Sequence, residues 1–320
     1  MSYAQFGTIQ ATDFNTFVGG NPTTTANTLN AVWATGGSDK GYGQTAVANV
    51  AAGQQVAAAS QWASLISNTA SAASHQGSSI SSITVPTAGA VVTYHSALPT
   101  NLSTIFTNRL NAAASGSTAA NTVTTASTWS GAATWTHTVT FANGDAARYF
   151  FNAGGQILMT CAHPSGSGIN QLFNQLAANV ATVVISAPSS GTVTIAGTSY
   201  SGVTNTGLPS PSGNNPTIDA TKGYYGLSTA NSTIFTKTAS TGPAGYLSTF
   251  IRYIAKTNGV QGSNSDNGSV ITIYTVWDEV PDGLTVATGS TATCTVRPPS
   301  TTNIANSWGT ITLAGSVSVV

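Results

Sequence analysis

Residues 134–162 read TWTHTVTFANGDAARYFFNAGGQILMTCA. The opening eight alternate. Trp135, His137, Val139 and Phe141 fall on one face, and Thr134, Thr136, Thr138 and Thr140 on the other. Period two with β-branched residues is the pattern of a half-buried strand. Asn143-Gly144 signals a turn. QILMTCA, at the other end, reads as a second strand. Between them, at 144–155, lies GDAARYFFNAGG, where Asp145 and Arg148 stand three apart before an aromatic cluster and a double glycine.

That middle piece predicts a two-turn helix clamped between strands. Asn143 or Asp145 can cap its start, where a carboxylate also opposes the positive end of the helix. Asp145 and Arg148 are i, i+3 neighbours on the helix surface. Phe150 and Phe151 supply the core contacts that so short a helix needs, because its own hydrogen bonds cannot hold it in water. Gly154 or Gly155 supplies a left-handed C-terminal cap. Asp145, Arg148, Tyr149, Phe150, Phe151, Gly154 and Gly155 therefore read as a structural motif, a folding device in preference to a chemical site.

Outward from this stretch the pattern differs on the two sides. Toward the C-terminus, INQLFNQLAANVATVV predicts a helix feeding a strand, and GTVTIAGTSYSGV a hairpin with an Ala-Gly-Thr turn. LPSPSGNNP reads as a loop. STIFTKTAS, GYLSTFIRYIAKT, SVITIYTVWDEV, TATCTVRPP and GTITLAGSVSVV then read as strands. Residues 271–277 are apolar on both faces, which predicts a central strand. The closing SVSVV keeps its alternation and is expected to join a sheet, its own or a neighbour's.

Toward the N-terminus the spacing turns helical. ATDFNTFVGG offers Thr12 as a cap and stops at two glycines. NTLNAVWATGG repeats that form. SQWASLISNTASAASHQG places Trp62, Leu65, Ile66, Thr69 and Ala73 on one stripe, with Ser60 as cap. TNLSTIFTNRLNAAASG follows Pro99 and precedes Gly116. The expected fold is thus α+β and β-rich. It has a mixed, partly helical region over 1–115, a polar linker over 116–128, and an antiparallel β-sandwich-like domain with short inserted helices over 129–320.

Charged residues make up 5% of the 320, and net charge is zero. Backbone binding to nucleic acid relies on clustered Lys and Arg, so nucleic acid is not an expected partner. The same balance argues against an anionic membrane surface. No run approaches a membrane span, and the first residues lack the basic and apolar regions of a secretory signal. Hydrophobic residues at 41%, with six Trp and ten Phe, predict a folded chain. A surface of hydroxyls and amides with no net charge favours self-association.

Chemical signatures are sparse. Cys161 and Cys294 stand 133 positions apart in strand-like runs and read as buried thiols, with a disulfide between them as the alternative. His75, His95, His137 and His163 are scattered singly, with no metal-ligand spacing. GGSDKG approaches a nucleophile elbow at Ser38, but Lys40 stands where the closing glycine belongs. GYGQTA lacks the lysine of a phosphate loop. Asp278, Glu279 and Asp282 form one acidic cluster. Adjacent strand residues point to opposite faces, so Asp278 and Glu279 do not converge as a glycosidase pair, while Asp278 and Asp282 can meet across Pro281. A solvated turn is the simpler reading. Trp129, Trp135, Tyr224, Tyr225 and Tyr246 can pack sheets or stack on glycans. No catalytic, cofactor-binding or metal site is predicted.

GSDKGYGQ at 37–44, QWASLISNTASAASHQGSSI at 61–80, TVTFANGDAARYFFNAGGQI at 138–157 and RPPSTTNIANSW at 297–308 resemble segments of a family of structural proteins of tailed bacteriophages. These occur in phages of marine, cyanobacterial and other environmental bacteria, and RYFFNAGG is the most specific part. The resemblance implies a tail, baseplate or fibre-type virion protein without enzymatic activity or cofactor. It implies folding in the host cytoplasm and residence in the virion. The implied partners are other virion proteins and further copies of the chain, as a trimer or hexamer. A capsid decoration or head-fibre protein is the alternative address. A glycan-binding receptor-recognition module, with a host surface glycan as partner, is the third reading.

Overall fold

The computed structural model describes residues 11–21, 26–51, 58–87, 95–113, 118–207, 216–239, 245–261 and 266–320. Four helices come first: α1 (Ala11–Val18), α2 (Leu29–Val32), α3 (Ala58–His75) and α4 (Leu98–Thr107). Strands β1 (Ala119–Thr124) and β2 (Ala132–Thr140) lead into α5 (Gly144–Asn152), β3 (Gln156–Ala162), α6 (Ile169–Val180) and β4 (Val183–Ile185). There follow β5 (Val193–Ile195), β6 (Thr198–Tyr200), β7 (Val203–Asn205) and β8 (Thr217–Ile218). The last are β9 (Ser232–Thr238), β10 (Phe250–Thr257), β11 (Val270–Asp278), β12 (Thr291–Arg297) and β13 (Thr312–Val319). The loop expected over 208–216 lies, apart from Pro216, outside the described residues, as does Gly116.

The strands form two antiparallel sheets, ordered β1-β12-β3-β4-β7 and β13-β2-β11-β10-β9-β8, plus the β5-β6 hairpin. The expected β-rich, sandwich-like α+β fold is what the chain adopts. The alternation read in 134–141 is realised: Trp135, His137 and Val139 are wholly buried and Phe141 nearly so. β11 is central, with β2 on one side and β10 on the other. Ile271, Ile273 and Trp277 are wholly buried on its inner face, and Thr272, Tyr274 and Val276 are half-buried on the other. SVSVV ends in the chain's own sheet, as edge strand β13 beside β2. The hairpin turns at Ala196-Gly197, both at positive φ (50° and 80°), the conformation a tight two-residue turn requires. α6 packs Phe173 flat on Trp277, ring centroids 5.3 Å apart, and against Trp129.

Part of the expected linker is a strand. β1 pairs with β12 over six residues, from Ala119↔Val296 to Thr124↔Thr291. As an edge strand it needs only a weak inner face, and half-buried Asn121 and Val123 supply it. That weakness hid the strand in a polar sequence. One buried cluster of apolar side chains runs on through the expected boundary, from Phe14 to Trp308.

The helices hold their predicted faces, but their ends move, and α4 stops at Thr107, well before the glycine expected to follow it. Thr12 and Ser60 lie inside the described α1 and α3 and are not their caps. Their carbonyls accept from the Thr16 and Ser64 hydroxyls. Pro99 sits within the first turn of α4, where its missing N–H costs nothing. Residues 45–50 belong to no helix or strand. Asn30 and Asn15 hold them: each side-chain amide both donates to and accepts from the backbone, Asn30 at Val47 and Asn15 at Val50, over 2.8–3.1 Å.

Candidate functional site

Helix α5 starts where Asn143 Oδ1 accepts the Ala146 N–H at 2.8 Å, so Asn143 is the cap in preference to Asp145. It ends at Gly154, φ +91°, so Gly154 is the left-handed residue. Gly155 makes room for an aromatic ring instead, since a Cβ there would lie 2.5 Å from Phe150. Phe150 and Phe151 meet edge to face at 5.0 Å, both against Phe141, and Phe151 stacks on Tyr224 at 4.3 Å.

Arg148 departs from its predicted place. It pairs with Asp145 at 2.8 Å, but it is wholly buried and does not lie on the helix surface. Its guanidinium donates to Thr35 O at 2.8 Å and Lys40 O at 2.7 Å, and its Nε lies 3.7 Å from the Asp266 carboxylate. The physical reason lies in residues 35–43, TGGSDKGYG. Gly36, Gly41, Gly43 and Ser38 all take positive φ, which turns carbonyls inward, away from any strand or helix partner. A buried, permanently charged fork with five donors answers several carbonyls at once. Asn152 adds donation to Lys40 O at 2.9 Å and Gly41 O at 3.2 Å. The Tyr225 hydroxyl lies 2.6 Å from Asn152 Oδ1 and 2.8 Å from Ser38 O. Tyr149 completes the clasp. The Arg148 guanidinium stands 4.8 Å over its ring, and the ring lies so close to Gly43 that a Cβ there would come within 2.4 Å of it.

The other resembling segments meet the same knot. Gln76 donates to the Tyr42 hydroxyl at 2.8 Å, which in turn donates to Arg109 O. His75 Nε2 is 2.9 Å from Ala153 O at the end of α5. Gln44 and Ala305 exchange two hydrogen bonds of 2.8 and 2.9 Å, and the Ser307 hydroxyl donates to Tyr42 O. So 37–44, 61–80, 138–157 and 297–308 converge on one interlock, buried at Tyr42, His75, Gln76 and Arg148 and exposed where Gln44 meets Ala305.

Its electrostatics suit permanence. Partial burial pushes the Asp39 carboxyl up, but hydrogen bonding and charge from Arg109, helped by Lys40, outweigh it and hold the carboxyl below its ordinary range. Burial raises the Tyr42 and Tyr225 hydroxyls and lowers the His75 imidazole, so all three are neutral at pH 7. Beside the interlock lies a polar depression of about 330 Å³, lined by Ser38, Asp39, Ser189, Ser190, Tyr225 and Gln261 among others.

The remaining candidates sort by burial. Glu279 is wholly buried and not in a solvated turn. Its carboxylate accepts from Leu284 N–H at 2.8 Å and Gly131 N–H at 3.3 Å. Asp278 is half-buried, with its pKa raised by burial and then by the charge of Asp282. Trp129, Trp135 and Tyr224 are core residues and present no glycan face. Ser38 follows a loop in place of a strand. Cys161 and Cys294 are free thiols, and burial pushes both up to about 12. Among the described residues no group of three His, Cys, Asp or Glu side chains is placed to hold a metal, and no helix is long and apolar enough to cross a membrane.

Sequence reasoning missed Asn152 and Asp266, which carry no local pattern, and read Tyr225 as sheet packing or a glycan contact where its hydroxyl meets Ser38 O and Asn152 Oδ1. It also missed a second clasp. Asn170 Oδ1 accepts from Ala287 N–H at 2.7 Å and lies 3.0 Å from His163 Nε2, so that nitrogen carries the proton. The Ser290 hydroxyl then donates to Nδ1 at 2.8 Å. Such wiring can activate a serine, but Ser290 is wholly buried, and here the clasp joins β3, α6 and the turn before β12. The one available signal was the scarcity of charge: in so neutral a chain, an arginine flanked by aromatics is placed for a reason. No protein-family model, curated protein or solved structure matches this chain.

Proposed function

We propose that this chain is a structural subunit of a tailed-phage virion. Its place is in the tail apparatus, at the baseplate periphery, a collar or a fibre anchor, as a symmetric homo-oligomer. The observation that carries the reading is the interlock. The four segments that resemble the phage family, distant in sequence, lie against one another and are joined by hydrogen bonds between them. Asp145, Arg148, Tyr149, Phe150, Phe151, Gly154 and Gly155 are architectural in this reading, and the chain is not an enzyme. A near-neutral surface of hydroxyls and amides is compatible with permanent burial against neighbours in a particle.

The test is the absolute copy number of the chain in purified particles, by quantitative mass spectrometry against the major capsid protein. A small multiple of three or six is expected. A count in the hundreds moves the protein to the head, as a decoration or head fibre, and absence from the particle overturns the proposal. A glycan-binding role has one observation in its favour, the hydroxyl- and amide-lined depression beside Tyr225. Calorimetric titration with host polysaccharide fragments, with Asp39→Ala as control, tests that role separately.

A further inference from the structure

Strand β13 is the edge of its sheet, with β1 of the other sheet lying against its inner face at Gly315. It pairs with β2 over eight consecutive residues without a register shift, from Thr312↔Thr140 to Val319↔Ala133. Its sequence, TLAGSVSV, holds no charge and no proline. Long, flat edges are ordinarily blunted by charge, proline or a bulge, because their unpaired backbone groups accept another strand. β13 has none of these devices.

Which groups are free follows from the pairing. Val320 donates to Ala132 O at 3.0 Å and accepts from Ser130 N–H at 3.3 Å, so its backbone faces β2. Antiparallel ladders alternate. Ser318, Ser316, Ala314 and Thr312 therefore face β2 as well, and the N–H and C=O groups of Leu313, Gly315, Val317 and Val319 point away. No hydrogen bond among the described residues takes those groups up. On the core side of the same strand, Leu313, Val317 and Val319 stay partly exposed, because the sheet stops there.

We propose that β13 is a strand-addition surface and that its occupant is β13 of a second copy of this chain, antiparallel about a twofold axis through Ser316. A twofold axis through any residue of β13 sets outward groups against outward groups, and the one through Ser316 uses all four of the strand's outward residues. Leu313 pairs with the partner's Val319, and Gly315 with the partner's Val317. All four outward residues are then used, for about eight hydrogen bonds. The half-exposed apolar row continues into its symmetry mate, Leu against Val. On the opposite face Ala314, Ser316 and Ser318 are small, exposed and neutral, so nothing in the strand opposes its own copy. The joined sheet runs unbroken through both copies. The inference does not depend on a virion role, although pairing of this kind favours a hexamer over a trimer.

The test uses the full chain in native mass spectrometry and sedimentation, over a concentration series, with amide hydrogen exchange. Wild type is expected as a dimer or an even-numbered assembly, with the amides of Leu313, Gly315, Val317 and Val319 slowing as concentration rises. Ser316→Lys sets two ammonium groups opposite each other on the axis while leaving the exposed side of the monomer otherwise intact. It is expected to weaken self-association at least tenfold with an unchanged circular dichroism spectrum. Val317→Pro removes one outward N–H and should act in the same direction; if it fails to fold, the lysine variant alone decides. A wild type that stays monomeric with freely exchanging edge amides overturns the proposal and leaves the edge for a strand of a different protein. Self-association as tight in Ser316→Lys as in wild type overturns it too. Either result leaves the copy-number test of virion membership standing.

Discussion

The β2–β11 pair and the α5 interlock are both buried, yet they are specified in opposite ways. The strand pair repeats one rule along nine register positions, from Val270↔Thr140 to Asp278↔Ala132, and every position restates the same inside-outside alternation. The interlock repeats nothing. Each contact is made once, between residues about a hundred positions apart, as when Arg148 reaches Thr35 O and Lys40 O. Redundant information survives the loss of one letter, and single-use information does not. Mutational sensitivity should therefore concentrate at the interlock.

The largest effect is expected at Arg148→Met. The methionine fills similar space, but it leaves Thr35 O without its donor, Lys40 O with Asn152 alone, and the Asp145 and Asp266 carboxylates without the Arg148 cation. Breaking a buried ion pair by removing one partner costs about 3–5 kcal/mol. Denaturant titration should show a loss of that order, whereas Thr138→Val on the outer face of β2 should stay within about 0.5 kcal/mol. An Arg148→Met loss below about 1 kcal/mol would break the comparison, because the interlock would then be as replaceable as the sheet.

Gly155→Val comes next. Gly155 lies outside the left-handed region, so the strain is one of volume alone: an added Cβ meets the Phe150 ring at 2.5 Å. Overpacking of this kind costs about 1–3 kcal/mol. Gly309 sharpens the point, since a Cβ there meets nothing within 4 Å, although its φ is +70°. Thermal unfolding should rank Gly155→Val well below Gly309→Ala. The reverse order would show that backbone conformation, and not the aromatic packing of α5, decides which glycines matter.

The same division explains what was legible in the sequence. Alternation in 134–141, the turn at Ala196-Gly197, the stripe of α3 and the central place of β11 all follow from local periodicity, and each was readable. β1 was not, because an edge strand with one weak face leaves Asn121 and Val123 as its only inward signal. In the interlock, the helix, its cap and the aromatic pair were readable from GDAARYFFNAGG. The destination of Arg148 was not. Its partners are backbone carbonyls, which every residue carries, so no residue type announces them. Gly36, Gly41 and Gly43 marked a bent loop, but not that it wraps a guanidinium.

The smallest expected effect is also the finest test, because it sets two adjacent carboxylates at the end of β11 against each other. Asp278 belongs to the repetitive sheet. Burial and the charge of Asp282 raise its pKa, so the native state holds its proton more readily than the unfolded chain does. Its ionised form is therefore a small net cost that grows as pH rises from the ordinary Asp value of about 3.9 through the raised native value. Asp278→Asn should leave stability at pH 7 within about 0.5 kcal/mol or slightly higher, and flatten its decline with rising pH in that interval. Glu279 resembles the interlock: buried, with each carboxylate oxygen accepting one backbone N–H from a different loop, Gly131 and Leu284. In Glu279→Gln one of those oxygens becomes an amide donor facing another donor, at a cost of about 1–3 kcal/mol. Chemical denaturation of both variants at pH 7 should place Glu279→Gln clearly below Asp278→Asn. Were Asp278→Asn the more damaging change, burial and single-use hydrogen bonding would not be what separates sensitive from tolerant positions in this chain.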